Sequence, residues 1–144
     1  MDKIMEIKKL TTDFRNAIES MDTHEFGESE WFSHFPRGCC GDTSDLLSKY
    51  LMSNGIKAFY VSGTDRGQTH AWLEYNDYII DITADQFPDI SEKVLVTNNR
   101  QWHLRFKNQK KEYHDIEDIE VMDKSHSDRL RGIYNNIIFK IGKC

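Results

Sequence analysis

An α+β fold is what this sequence predicts, and three patterns carry the prediction. Apolar residues recur at steps of three and four over residues 2–21, where Ile4, Ile7, Leu10, Phe14, Ile18 and Met21 form one helical stripe. A second helical stretch follows at 40–53. Three short runs rich in β-branched and aromatic residues, "KAFYVSG", "THAWLEY" and "YIIDIT", then read as antiparallel strands. Helices and strands that segregate along the chain in this way are the mark of α+β architecture.

The first helix packs its stripe on a core and ends near Met21. Between Asp22 and Arg37 the periodicity breaks into a loop whose aromatic stretch, Phe26 to Phe35, is a candidate wall of a cleft. Pro36 and Gly38 precede the second helix. Leu46, Leu47, Tyr50 and Leu51 form its apolar face, and Asn54-Gly55 stops it. The last two of the three strands join at Asn76-Asp77, residues that tolerate tight turns. Downstream, "KVLVT" reads as a strand and "WHLRF" fits helix and strand equally. Residues 126–139 predict a closing helix, with Leu130, Ile133, Tyr134 and Ile137 on one side. No repeat, low-complexity segment or linker divides the sequence, so residues 1–144 read as a single domain.

Composition narrows the function classes. A 144-residue chain that is 38% hydrophobic has enough apolar material for one core. The net charge is −5 and the basic residues are dispersed except for "KNQKK" at 107–111, so neither nucleic acid nor an anionic membrane is the expected partner. The N-terminal "MDKIMEIKKLTTDF" lacks the apolar block of a secretory signal, and no stretch is long enough to span a bilayer. Of the three cysteines, Cys39 and Cys40 are neighbours whose mutual disulfide would be strained. Free thiols in a reducing, cytoplasmic setting are expected.

The hairpin supplies a geometric clue. With a two-residue loop at Asn76-Asp77, Tyr75 faces Tyr78, Leu73 faces Ile80 and Trp72 faces Asp81. Alternation then sends Ala71, Leu73, Ile80 and Ile82 to a core face and His70, Trp72, Glu74, Ile79, Asp81 and Thr83 to the other. His70 and Asp81 become diagonal neighbours within side-chain reach. A carboxylate so placed fixes an imidazole's tautomer and stabilises its protonated form. A polar face meeting water is the plain alternative, and Trp72 and Ile79 on the same face argue against it.

The thiols differ in phase. Cys40, Ser44, Leu47 and Leu51 form one helical stripe, so Cys40 projects toward the sheet from the first turn, where free N–H groups favour an anion. Cys39 points about 100° away and reads as a small buried hydrophobe. Asp42 and Asp45 oppose a thiolate in that turn, so activation falls to an imidazolium, with His70 the candidate and Asp81 its orienting group. The sequence holds no Cys-x-x-Cys pair and no Gly-rich phosphate loop, and its six histidines are scattered; neither a metal nor another cofactor is expected.

The run "GCCGDTSDLLSKYLMSNGIKAFYVSG", then "HAWLEY", then "IIDIT", resembles the core of the transglutaminase-like superfamily of papain-fold cysteine enzymes. In that family a glycine precedes the nucleophile by two, the helix ends in Gly-Ile, a strand ends in Gly, and a His-Ala-Trp strand is followed by an Asp-x-Thr strand. The resemblance covers residues 38–83. It implies a papain-like core with a catalytic helix packed on an antiparallel sheet, Cys40 as nucleophile, His70 as general base and acid, and Asp81 as its orienting group. The implied reaction is acyl transfer from a peptide, protein or small amide substrate through a thioester. Its oxyanion would be held by the Cys40 N–H and one further donor. Trp31, His34 and Gln68 are candidates for that donor, and Trp72 is a further candidate to line the substrate. Thr43 replaces the family's usual bulky residue and the hairpin is short, which leaves the substrate class open. Two other uses stand beside catalysis: an idle fold that binds a peptide or protein, and a redox-sensing protein working through Cys39, Cys40 and Cys144.

Overall fold

The computed structural model describes residues 2–22, 35–37, 39–114 and 124–142. Among them run α1 (Lys3–Glu19), α2 (Cys40–Ser53), β1 (Phe59–Asp65), β2 (Gln68–Tyr75), β3 (Tyr78–Asp81), β4 (Leu95–Thr97), β5 (Lys107–Glu112) and α3 (Lys124–Gly142). Short 3₁₀ turns at Ala84–Gln86 and His103–Arg105 flank β4. The five strands form one antiparallel sheet in the order β4-β3-β2-β1-β5. The α+β prediction therefore holds. Among the described residues no helix is long and apolar enough to cross a membrane.

Local chemistry sets the ends of the elements that matter. Asp2 caps α1 by accepting from the Ile4 N–H, while α2 closes where Gly55 takes φ +80° and the Ile56 N–H bonds back to Leu51 O at 2.9 Å. Asn76, at φ +53°, turns β2 into β3 with Leu73 opposite Ile80 and Tyr75 opposite Tyr78, as the sequence register requires.

One face of the sheet carries the main core. Leu73, Ile80 and Ile82 meet Ile7, Phe14 and Ile18 of α1, Leu46, Leu47 and Leu51 of α2, and Leu130, Ile133 and Ile137 of α3. The other face is also covered. Trp72, Ile79 and Val61 pack against Phe87 and Phe106, with Trp102 alongside, in a small aromatic layer built by the segment after β3. Both faces of β2 are thus dry, which removes the solvated-face alternative for His70.

Three features go beyond the sequence reading. The basic run "KNQKK" is part of β5, an edge strand exposed along its whole length and paired with β1 across an irregularity between Ser62 and Thr64. Lysines on such an edge discourage a further strand from adding. Gly63 permits the close approach there, since a Cβ at that position would lie 3.0 Å from Phe106 Cβ and 3.1 Å from Lys107 O. Arg15 of α1 is buried rather than solvated. It bonds both oxygens of Asp85 at 2.8 Å and Ile82 O at 2.6 Å, which ties α1 to the segment leaving β3. "WHLRF" resolves into a 3₁₀ turn that drops His103 and Phe106 into the aromatic layer.

Candidate active site

The site is built where β2 and β3 part. Their registered pairs end at Leu73↔Ile80, so His70 and Asp81 stand on diverging strand ends, near the start of α2. This answers a tension in the sequence reading, which sends Cys40 toward the core face and His70 to the opposite one. Side chains at the end of a ladder are not separated by a continuous sheet.

His70 is fully buried, and its Nε2 lies 2.7 Å from Asp81 Oδ2. Because Asp81 as an anion only accepts, this commits a proton to His70 Nε2 and leaves Nδ1 as the nitrogen whose proton can exchange. Cys40 also acts on the ring and favours its protonated form. Burial opposes the imidazolium, yet the Asp81 charge and hydrogen bond, together with Cys40, outweigh it and lift His70 to about 9. For Asp81 the balance is similar: burial disfavours its charge, but the charges and hydrogen bonds of His70 and His103 hold it well below the usual carboxylate range. Its Oδ1 accepts from the Thr83 N–H at 3.0 Å, a role for the Thr of the Asp-x-Thr pattern.

The thiols separate as their helical phases predict. Cys39 is the buried N-cap residue of α2, and burial pushes its thiol up to about 12. Cys40, the first residue of α2, is partly accessible. Next to it Gly41 leaves room for Tyr60, whose hydroxyl would lie 3.1 Å from a Cβ there.

The remaining candidates fare differently. Trp72 is buried, donates its indole N–H to Glu74 Oε2 at 3.1 Å and packs on His70, so it is part of the site's floor. Gln68 is exposed at the open end of β2. Trp31, His34 and Cys144 lie outside the described residues, as does most of the aromatic loop. The sequence reading missed Gln86, whose Nε2 is 3.4 Å from His70 Nδ1 and donates to Thr83 O at 3.0 Å. It also missed His103, whose Nε2 is 2.8 Å from the same Asp81 Oδ2. Neither has a periodic signal, since both arrive on short 3₁₀ turns.

His70, Asp81 and His103 are metal-ligand types whose donor atoms lie within 4.8 Å of one another. The Nε2–Oδ2 separations of 2.7 and 2.8 Å, however, are hydrogen-bond lengths. Neighbouring ligands about 2.0–2.1 Å from a tetrahedral ion stand roughly 3.3 Å apart. This donor set shares protons rather than an ion.

A thiol at the mouth of a helix, an imidazole and a buried carboxylate are carried on one α+β frame. The chain belongs to the transglutaminase-like superfamily, whose family model matches residues 2–103. That superfamily consists largely of cysteine-dependent enzymes. The match runs past the motifs in both directions, taking in α1 and ending on His103. No curated protein and no solved structure matches the chain.

Proposed function

We propose that the protein is a cysteine-dependent amide-bond enzyme, a hydrolase or acyl transferase, working through Cys40, His70 and Asp81. The observation that carries this reading is the buried His70 ring, held by the Asp81 carboxylate at 2.7 Å and acted on by Cys40 at the start of α2. With Nε2–H committed to Asp81, Nδ1 is the nitrogen that exchanges a proton with Cys40.

Cys40 Sγ attacks the amide carbonyl as its proton passes to His70 Nδ1, and a C–S bond forms. When the tetrahedral intermediate collapses, the C–N bond breaks and His70 returns the proton to the departing amine. The resulting thioester is then attacked by water or a second amine. His70 takes the attacker's proton and delivers it to the sulfur as the C–S bond breaks. The Cys40 backbone N–H, at the free end of α2, supplies one oxyanion donor. For the second, Gln86 joins Trp31, His34 and Gln68 as a candidate, because its amide lies 3.4 Å from His70 Nδ1. The substrate is a peptide, protein or small amide.

Incubation with a library of glutamine-containing peptides, with and without added amine, tests this. Expected are ammonia or amine release and an acyl adduct on Cys40 by mass spectrometry, both lost in Cys40→Ala. Peptide capture with no adduct and no release would instead mark an idle fold used for binding.

A further inference from the structure

Two imidazoles, not one, converge on Asp81. His70 Nε2 and His103 Nε2 lie 2.7 and 2.8 Å from the same oxygen, Oδ2, while Oδ1 takes the Thr83 N–H. An anionic oxygen accepts only, so both nitrogens must carry hydrogen. On His103 the other nitrogen, Nδ1, is buried and has no hydrogen-bond partner among the described residues. A proton there would point at nothing, so the geometry assigns His103 the Nε2–H tautomer.

The rest of its surroundings hold that ring still. His103 packs on the Trp72 and Trp102 rings at centroid distances of 4.7 and 4.8 Å, and its backbone carbonyl accepts from Gln109 Nε2 at 2.9 Å. The charges on the elements around it are paired away from it. Glu74 of β2 binds Arg100 and Lys111, and Arg105 of its own turn binds Asp65 and Asp89. On the β2 and β3 side the ionisable groups that face it are Asp81 and, across that carboxylate, His70.

We propose that His103 is a positioning residue of the active site: its Nε2–H holds Asp81 Oδ2 in place and takes a share of the carboxylate's charge, so that His70 feels a fixed but divided partner. This rests on the acyl-transfer reading only in that the His70 so tuned serves Cys40. Removing the His103 donor concentrates the Asp81 charge on His70, and the imidazolium becomes harder to deprotonate. His103 thereby keeps His70 acidic enough to return its proton to the leaving group.

The test is two-bond ¹⁵N–¹H spectroscopy of the histidine-labelled full chain across a pH series. In the wild type, His103 should show the Nε2–H tautomer near neutral pH. In His103→Phe, which keeps a flat ring but no donor, the His70 midpoint should rise by about half a pH unit or more. His103→Gln, which keeps a donor, should return it toward the wild-type value. An Nδ1–H tautomer for wild-type His103 overturns the proposal, and so does an unmoved His70 midpoint in folded His103→Phe or a Gln variant that behaves like Phe. If the Phe variant does not fold, the wild-type tautomer and the Gln variant decide. Selective alkylation of Cys40 on the same wild-type sample tests the acyl-transfer reading separately, since its failure would leave the His103 signals untouched.

Discussion

Of the carboxylate-held histidines among the described residues, His70 and His114 teach different things. His70 sits in the dry layer beside Asp81, while His114, half-buried just past the end of β5, bonds Asp45 of α2 at 2.9 Å and Glu112 at 2.9 Å. Both are lifted to about 9. At His114 the hydrogen bond to Asp45 leads and burial takes back only part of it; at His70 burial is the largest influence and the Asp81 and Cys40 contributions must overcome it. Equal end points therefore conceal unequal stakes. His114, stacked on Tyr60 at 4.0 Å, fastens the end of β5 to the first turns of α2. His70 faces a thiol in a place where an unpaired charge has no water to turn to.

The sharpest way to break the comparison is Asp81→Ala, which strips two buried imidazoles of their common acceptor. A loss of about 3–5 kcal/mol in urea unfolding is expected, as for other broken buried pairs, together with loss of any preferential reactivity at Cys40. His114→Ala, by contrast, should cost at most about 1 kcal/mol, and less in high salt, because Glu112 is exposed and its bond is screened. A His114 variant as damaging as the Asp81 one would erase the distinction.

Between these lies Gly63→Ala. Its Cβ would press on Phe106, which packs on His70 at 5.2 Å, so about 1–3 kcal/mol of overpacking is expected, with the His70 environment disturbed in the same variant.

The pH dependence sharpens the comparison further. Both imidazoles bind their proton more firmly in the folded chain, at about 9 against 6.5. Their stabilisation is complete below about pH 6.5 and is lost as pH rises through about 9. Unfolding free energy should fall across that window. In high salt the fall should shrink by the His114 share and keep the His70 share.

Much of this was legible in the sequence. A tight turn at Asn76-Asp77 sets the hairpin register, and with it the pairing of His70 and Asp81, because side-chain alternation is strict once the turn length is known. Helical phase and the family spacing together set Cys40 apart from Cys39. Illegible were the parts that depend on long-range packing. β5 shows no alternation because an edge strand exposed on every residue needs none. Nothing in the local pattern marks Arg15, whose burial depends on Asp85 and two backbone carbonyls converging on it. His103 and Gln86 come from 3₁₀ turns whose positions follow from the aromatic layer, which no local period encodes.

The reactivity of each thiol tests the central claim most directly: alkylation by iodoacetamide across pH, read by mass spectrometry at every cysteine, in the wild type and in His70→Ala. The expected result is selective labelling of Cys40 at neutral pH, slowed in the variant, with buried Cys39 inert. Equal, slow labelling of all three thiols, rising only near the ordinary thiol value of about 8.5 and indifferent to His70, would contradict it.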